Sequence, residues 1–300
     1  MAFVDEARGW AAGGQGVLLK TEDGGAHWRT LRRPTEDALR DVVFVNPTTG
    51  WLLCQRSLYQ AHTPADPRSY LLKTEDGGAT WRRVTVTGAS ADTALAGFTF
   101  ADEQHGWAYG EEGALYATAD GGDTWTRQRV PTRHLLLGGA FVDNLQGWLV
   151  GAGATLLQAT DGVEWRALGG SAPLARDARL NAVAFAGARR GWAVGARGLI
   201  LATADGGRSW TPQPAETNAD LFDVKFTDAR TGWAAGADGT LLHTTDGGAH
   251  WLAEPSPTRH PLARLYFLSP ARGWAVGFGG TIITYTPGTV APPALKTSKQ

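Results

Sequence analysis

The dipeptide Gly-Trp recurs along the whole chain, and this repeat limits the possible folds more than any other feature. Successive copies lie 41 to 44 residues apart, except for one interval of 56. Their tryptophans are Trp10, Trp51, Trp107, Trp148, Trp192, Trp233 and Trp274. A second mark, D-G-G-x-x-W or a near variant, follows six of the copies and supplies the other tryptophans of the 13 in the chain. Such self-similarity indicates a ring or stack of similar units.

The spacing inside each unit is also regular. A phenylalanine lies seven residues before every Gly-Trp tryptophan, from Phe3 to Phe267. The aspartate of the second mark follows that tryptophan by 13 residues in five copies and by 25 in the second copy, which therefore carries an insertion of 12. In the seventh copy Pro287 stands at the aspartate position. The register predicts a single repeated fold that runs through nearly the whole chain.

Each unit reads as four short strands separated by turns. In the fifth unit, LNAVAFAG, GWAVG, LILATA and a segment starting near Trp210 are the strands. Glycines three and six residues after the Gly-Trp tryptophan, such as Gly195 and Gly198, are expected to supply the positive φ of a hairpin turn. In T-x-D-G-G the carboxylate can accept backbone N–H groups that follow it. Four strands in about 41 residues, seven times, predict an all-β, seven-bladed propeller of four-stranded antiparallel blades.

The repeat sets the expected limits of the domain, and the composition argues against several classes of protein. Residues 1–290 are expected to form one propeller and residues 291–300 a flexible tail. A net charge of −1 argues against nucleic-acid binding by bulk electrostatics. No apolar run is long enough to span a bilayer. The single cysteine, Cys54, excludes an internal disulfide, and the seven histidines show no metal-ligand spacing, so neither a metal nor a cofactor is expected.

The repeat resembles known families. T-x-D-G-G-x-x-W is similar to the Asp-box, or BNR, repeat. The longer unit, best seen in GWAVGARGLILATADGGRSW (191–210) and GWAAGADGTLLHTTDGGAHW (232–251), resembles the photosystem II stability and assembly factor family. That resemblance implies a seven-bladed propeller that acts without catalysis, holding a reaction-centre subunit on the lumenal side during assembly. It also implies a protein partner, such as a membrane-protein subunit. The chain itself is expected to be a monomer.

Propeller topology divides the candidate residues between two faces. Six aspartates fall in the Asp-box turns and are expected to be structural: Asp23, Asp76, Asp120, Asp161, Asp205 and Asp246. The opposite face, where the innermost strands begin, carries the insertion QRSLYQAHTPADPRSY with its His62. Partner-binding residues are expected on this face at Arg40, Arg56, Tyr59, Arg68, Arg133, Arg179 and Arg264. Asp41 and Asp223 are placed beside them at the channel mouth, and the basic members resemble the arginine patch of the family. The alternative is that these are solvated surface charges.

The sequence matches known catalytic sites only weakly, so no catalytic residue is assigned. A sialidase-like site needs an arginine trio, a tyrosine nucleophile with a glutamate partner and an acid/base aspartate. Tyr109 precedes Glu111 and Glu112, but these residues fall in a hairpin turn, which is a poor match to the position of a sialidase-like nucleophile and its partner. Xyloglucanase-type Asp-box hydrolases use a cleft between two propellers, and this chain predicts one. A glycan-binding or glycoside-hydrolysing propeller nevertheless stays open as the alternative, as does a purely structural module.

The two ends of the repeat leave ring closure open. The chain opens near the end of an innermost strand, so the fourth strand of blade 7 must come either from TVAPPAL (289–295) or from a segment upstream of Met1. No signal peptide is present in the sequence as it stands. If the natural start lies upstream, the family resemblance implies a periplasmic, lumenal or extracellular location. The sequence does not name the partner.

Overall fold

A computed structural model describes residues 1–57, 59, 63, 65–168 and 174–285 as seven sheets arranged around a central channel. The seven-bladed all-β propeller expected from the repeat is therefore confirmed. The strands of blades 1 to 3 are β1 (Ala2–Phe3), β2 (Gly9–Ala12), β3 (Leu18–Thr21), β4 (Arg29–Thr30), β5 (Ala38–Phe44), β6 (Gly50–Gln55), β7 (Ser69–Thr74), β8 (Arg82–Arg83), β9 (Thr85–Thr87), β10 (Leu95–Phe100), β11 (Gly106–Gly110), β12 (Leu115–Thr118) and β13 (Thr124–Arg127).

Blades 4 to 7 continue the same order. Their strands are β14 (Leu136–Phe141), β15 (Gly147–Gly151), β16 (Leu156–Ala159), β17 (Trp165–Ala167), β18 (Leu180–Ala186), β19 (Arg190–Gly195), β20 (Ile200–Thr203), β21 (Thr211–Gln213), β22 (Leu221–Phe226), β23 (Gly232–Gly236), β24 (Leu241–Thr244), β25 (Leu252–Ala253), β26 (Leu262–Ser269), β27 (Arg272–Gly277) and β28 (Ile282–Tyr285).

Two blades depart from the four-stranded plan. Blade 3 has a fifth strand, β9, which pairs in parallel with the outer strand β13. Blade 7 has three strands within the described residues. The expected box position at Pro287, the candidate fourth strand TVAPPAL and the boundary between residues 290 and 291 all lie outside the described residues.

The Gly-Trp dipeptide and its phenylalanine form one packing unit. Phe185 lies directly opposite Gly191 across the β18–β19 pair, and a Cβ on that glycine would come 2.4 Å from the phenylalanine ring. The glycine thus leaves room for the ring to lie flat on the strand. The opposite side of the ring stacks on Trp148 of the preceding blade at 3.6 Å, and Trp210 of its own blade meets it edge-on. Such aromatic pairs add about 0.5–1.5 kcal/mol each beyond area burial.

The same stack closes the ring. Phe3 of blade 1 stacks on Trp274 of blade 7 with ring centroids 3.7 Å apart. The indole nitrogen of Trp274 donates to the carbonyl oxygen of Gly24 at 3.2 Å, and the Tyr266 hydroxyl donates to the Phe3 carbonyl. The stack and the indole hydrogen bond are the same contacts that join blades 4 and 5.

The expectation for the first of the two turn glycines is wrong. Gly195, three residues after Trp192, is extended, with φ −160°. The positive φ values belong instead to Arg197 (57°) and Gly198 (69°), the central pair of a type I′-like turn. Gly195 is needed for a different reason, because a Cβ there would lie 2.0 Å from the carbonyl oxygen of Arg179. Close backbone approach, not turn conformation, therefore excludes a side chain at this position.

Each Asp-box aspartate lies in its turn and binds the turn itself. Asp205 accepts the Ser209 backbone N–H and the Thr203 hydroxyl at its Oδ1, at 2.9 and 2.8 Å, and the Ser209 hydroxyl at Oδ2. Asp23, Asp76, Asp120 and Asp246 accept the equivalent threonine hydroxyl. Asp161, which has Ala159 at the threonine position, accepts two backbone N–H groups. These contacts fit the structural role expected for the boxes.

Candidate partner-binding face

The face on which the innermost strands begin, called here the upper face, is built from two kinds of segment. These are the turns between the second and third strands and the connections between blades. In blade 5, for example, the Gly198 N–H donates to the Ala219 carbonyl in the connection to blade 6, at 2.9 Å. The Asp-box turns lie on the opposite, lower face. The insertion of blade 2 falls on the upper face, between β6 and β7.

Six of the innermost strands share a local structural feature that the sequence analysis did not predict. A buried leucine lies five residues before the phenylalanine and is followed by a β-bulge, and in five of the six strands the next paired residue lines the channel. The leucines are Leu39, Leu95, Leu136, Leu180, Leu221 and Leu262. Aligning the units on their phenylalanines would have revealed this leucine.

Three predicted residues come together inside the channel. Asp41, Asp223 and Arg264 each follow the bulge of their strand and line a cavity of about 280 Å³, together with Lys225 and Tyr109. Asp223 is buried, and its two carboxylate oxygens accept the backbone N–H groups of Val224 (2.9 Å) and Leu265 (2.8 Å). It thereby ties blade 6 to blade 7.

The charge of Arg264 is balanced within this cavity. Burial opposes the charge on its guanidinium, but the nearby carboxylates of Asp41 and Asp223 raise its pKa above the ordinary value. Burial also raises the pKa of the Tyr109 hydroxyl, which keeps that group neutral. The carboxylates of Asp41 and Asp223 thus compensate the charge of Arg264 inside the channel. The other arginines expected to contact a partner lie outside this cavity.

Three of the predicted arginines are exposed on that rim. Arg40, Arg133 and Arg179 lie on blade 2 and on the connections that lead into blades 4 and 5. Arg40 donates to the Gln55 side chain, and Arg179 Nε donates to Asn181 Oδ1 at 2.9 Å. Each of these contacts is with a neutral amide, so the positive charges are not neutralised by the contact. These arginines are available to a partner.

The other two predicted arginines hold the base of the insertion. Arg56 Nη2 lies 2.5 Å from Asp66 Oδ1, and its Nη1 donates to the Pro67 carbonyl at 2.8 Å. Arg68 Nη1 donates to Glu111 Oε2 at 2.9 Å, which links the insertion to blade 3. Tyr59, in contrast, is 99% exposed. His62 lies outside the described residues.

Apart from the exposed Tyr59, the aromatic and acidic side chains considered for a glycan site are committed to other contacts. All 13 tryptophans pack against other aromatic rings within and between blades. Tyr109 is buried, and Glu111 is bound by Arg68. Among the described residues no three His, Cys, Asp or Glu side chains gather as metal ligands would. The same part of the chain has no helix long and apolar enough to cross a membrane.

A family model described as photosynthesis system II assembly factor YCF48 matches residues 1–89, 26–133, 125–218 and 212–286. The curated photosystem II assembly lipoprotein Ycf48 of Synechococcus sp. (strain CC9902) is 30% identical over 132 residues. That match covers 42% of this chain and 34% of the relative, so the chain spans about a third of the length of the relative.

Solved structures show the same fold at low identity. YCF48 from Cyanidioschyzon merolae is 19% identical, with a TM-score of 0.74 over 96% of this chain and 94% of that one. A structure described as YCF48 bound to D1 peptide is 21% identical, with a TM-score of 0.73 over 95% and 90%. The GH74 enzyme of Niastella koreensis is 12% identical, with a TM-score of 0.51 over 95% of this chain and 59% of that one. The similarity to these three structures shows the fold alone.

Proposed function

The chain belongs to the family of photosynthesis system II assembly factor YCF48, and we propose that it is a non-enzymatic scaffold whose upper face binds a protein partner. The observation that carries this proposal is the family match, which extends from residue 1 to residue 286. The carboxylates that recur in every Asp-box copy are bound within their own turns, which supports a role without catalysis.

The partner proposed for this chain is an extended segment of a photosystem II subunit of the D1 kind. One structural relative is described as bound to a D1 peptide, which is why we choose this chemistry for the present chain. The exposed arginines Arg40, Arg133 and Arg179 would pair with carboxylates of that segment. Arginine is suited to this role because its planar guanidinium can bind a carboxylate through two N–H groups.

The test is direct binding of a fluorescently labelled D1 peptide, measured by anisotropy. We expect Arg40→Glu/Arg179→Glu to weaken binding by about tenfold or more, because it reverses two charges on the rim. Arg189→Glu/Arg208→Glu is the matched control, since both arginines are exposed on the lower face and the net charge changes equally. Equal affinities for the two double variants, or no binding to the wild type, would contradict the proposal.

A further inference from the structure

A cleft on the lower face, between blades 4 and 5, carries two exposed arginines, Arg189 and Arg208. The cleft measures about 460 Å³ and is also lined by Gln146, Gln158 and Asp205. Among the described residues no carboxylate lies within ion-pair distance of either arginine. The carboxylate of Asp205 is bound within its own Asp-box turn. The cleft, called here the blade 4–5 cleft, therefore has an excess of positive charge.

The seam between blades 2 and 3 shows what the repeat can hold at the equivalent place. Lys73, directly opposite Trp51 in the β6–β7 pair, donates from its Nζ to Asp123 Oδ1 in the box turn of blade 3, at 2.7 Å. Arg82 donates to the same carboxylate. The box aspartate of this turn, Asp120, is bound by the turn itself and does not prevent Asp123 from sitting beside it. A carboxylate held by two cations thus fills this seam on the lower face.

The seam between blades 4 and 5 has the cations but lacks that carboxylate. Gln158 corresponds to Lys73, because each lies directly opposite its Gly-Trp tryptophan, and its neutral amide donates to the Gly206 carbonyl at 3.1 Å. Arg208 takes the position of Asp123, three residues after the box aspartate. The positive charge has moved from the strand to the turn, and no acidic side chain of the described residues balances it there.

An apolar patch adjoins the cleft. Leu145 directly precedes Gln146 of the cleft, and its carbonyl accepts the Gly162 N–H of the blade 4 box turn at 2.8 Å. Leu145 is 49% exposed, and Val163 of the same turn is 66% exposed. In the other six copies the position of Leu145 holds alanine, threonine, glutamine or arginine. A ligand that fits both features has a carboxylate with an aliphatic group close beside it.

We propose that the blade 4–5 cleft binds an acidic segment of a protein, in which an aspartate or glutamate is followed by an aliphatic residue. The carboxylate takes the place that Asp123 fills between blades 2 and 3, and the guanidinium groups of Arg189 and Arg208 donate to it. The aliphatic side chain covers Leu145 and Val163. Hydrogen bonds between a guanidinium and a carboxylate are about twice as strong as those between neutral groups.

A protein carboxylate is the favoured ligand because the molecule itself holds one at the equivalent seam. The cleft lies on the lower face, whereas Arg40 and Arg179 of the proposed partner-binding surface lie on the upper face. The inference therefore does not rest on the proposed function. It adds a second contact surface, with its own ligand chemistry, on the opposite side of the ring.

The test uses two labelled peptides that differ only in charge. The acidic peptide GSDLDLGS is titrated into the full chain and followed by fluorescence anisotropy, beside its amide twin GSNLNLGS. Both have the same length and the same leucines. We expect the acidic peptide to bind about tenfold or more tightly than its twin, because only its carboxylates accept charge-assisted hydrogen bonds from the two guanidinium groups.

The protein is varied in parallel. Arg189→Gln/Arg208→Gln should weaken binding of the acidic peptide by about tenfold or more, because it removes both donors. Arg40→Gln/Arg179→Gln is the matched control, since it removes two exposed charges from the upper face, and its affinity should stay within about twofold of the wild type. Tryptophan fluorescence verifies that both variants are folded.

A further double variant supplies the carboxylate from within the chain. Gln158→Lys/Arg208→Asp rebuilds, between blades 4 and 5, the pair that Lys73 and Asp123 form between blades 2 and 3. It should bind the acidic peptide about tenfold or more weakly than the wild type, because an internal carboxylate then fills the position.

Three results would overturn the cleft: no binding of the acidic peptide, equal binding of the two peptides, or equal losses in the lower-face and upper-face glutamine variants. A photo-leucine in the acidic peptide should label residues near Leu145 or Val163, and labelling elsewhere would also overturn it. The D1 peptide is measured with the same variants. D1 binding that the upper-face variant leaves intact would contradict the proposed function alone, because the acidic peptide reports on the cleft separately.

Discussion

At the residue scale, hydrogen bonds within each Asp-box turn lower the pKa of its aspartate. The Ser209 hydroxyl and then the Ser209 backbone N–H are the main causes that lower the pKa of Asp205 to about 2, from an ordinary value of 3.8. The pKa values of Asp23, Asp76 and Asp120 also lie at about 2. The charged carboxylate is therefore the form that the folded turn prefers.

These shifts predict a loss of stability in acid. Because the folded-state pKa is lower than the unfolded one, the stabilisation is complete above about pH 4 and disappears as the pH falls through about 2. Urea unfolding followed by tryptophan fluorescence at several pH values between 5 and 2 should show this decline. Asp205→Asn should be less stable than the wild type at neutral pH and should decline less steeply. The same slope for both proteins would count against the turn contacts as the cause.

A second prediction tests whether Gly195 is required because the backbone of Arg179 lies close to it. Gly195→Ala places a Cβ against the Arg179 carbonyl and should destabilise the fold by about 1–3 kcal/mol, the usual range for overpacking. Gly13→Ala, at the equivalent position of blade 1, should change the free energy of unfolding by less than about 0.5 kcal/mol. Urea denaturation of the two variants provides the comparison. Equal destabilisation would mean that the two glycines have similar surroundings after all.

At the scale of the element, neighbouring blades are linked by a tryptophan that reaches the next Asp-box turn. The Trp148 indole N–H donates to the carbonyl of Gly206 at 3.0 Å, and Trp10, Trp192 and Trp274 make the same link. The box of blade 4, which faces Trp107 of blade 3, reads DGVEW (161–165) and lacks the second glycine. The buried indole N–H of Trp107 has no partner among the described residues, and neither has that of Trp51, although the box facing Trp51 keeps both glycines.

This difference can be measured with one substitution at two sites. Trp148→Phe and Trp107→Phe remove the same ring area from equivalent positions, but only the first also removes a hydrogen bond. We therefore expect Trp148→Phe to cost about 1 kcal/mol more than Trp107→Phe, as is usual for a neutral hydrogen bond. Thermal unfolding of both proteins checks the prediction, and a larger loss for Trp107→Phe would refute it.

The repeat predicted the blades and their number, because every copy needs the same phenylalanine, glycine and tryptophan to pack on its neighbour. It did not predict that Arg264 lies inside the channel, since this depends on a bulge that follows Leu262. Nor did it predict that Arg56 and Arg68 are bound by Asp66 and Glu111. Such pairings join residues from different elements, and one sequence carries no periodic signal for them.

At the scale of the whole molecule, the two ends of the repeat meet through contacts that recur between other blades. Phe3 stacks on Trp274 as Phe185 stacks on Trp148. The indole N–H of Trp274 donates to the Gly24 carbonyl as that of Trp148 donates to Gly206. The repeat unit therefore supplies the contacts that close the ring.

The flat contact between Phe185 and Gly191 also restricts the order in which these two positions can change during evolution. A larger residue cannot replace the glycine while the phenylalanine is present, because the two would overlap. The phenylalanine must shrink first, and that step leaves a cavity beside Trp148. Each intermediate is therefore less stable than its parent, so the pair resists replacement in either order. Seven copies hold seven such pairs, which explains how the sequence repeat can persist while the upper face diverges.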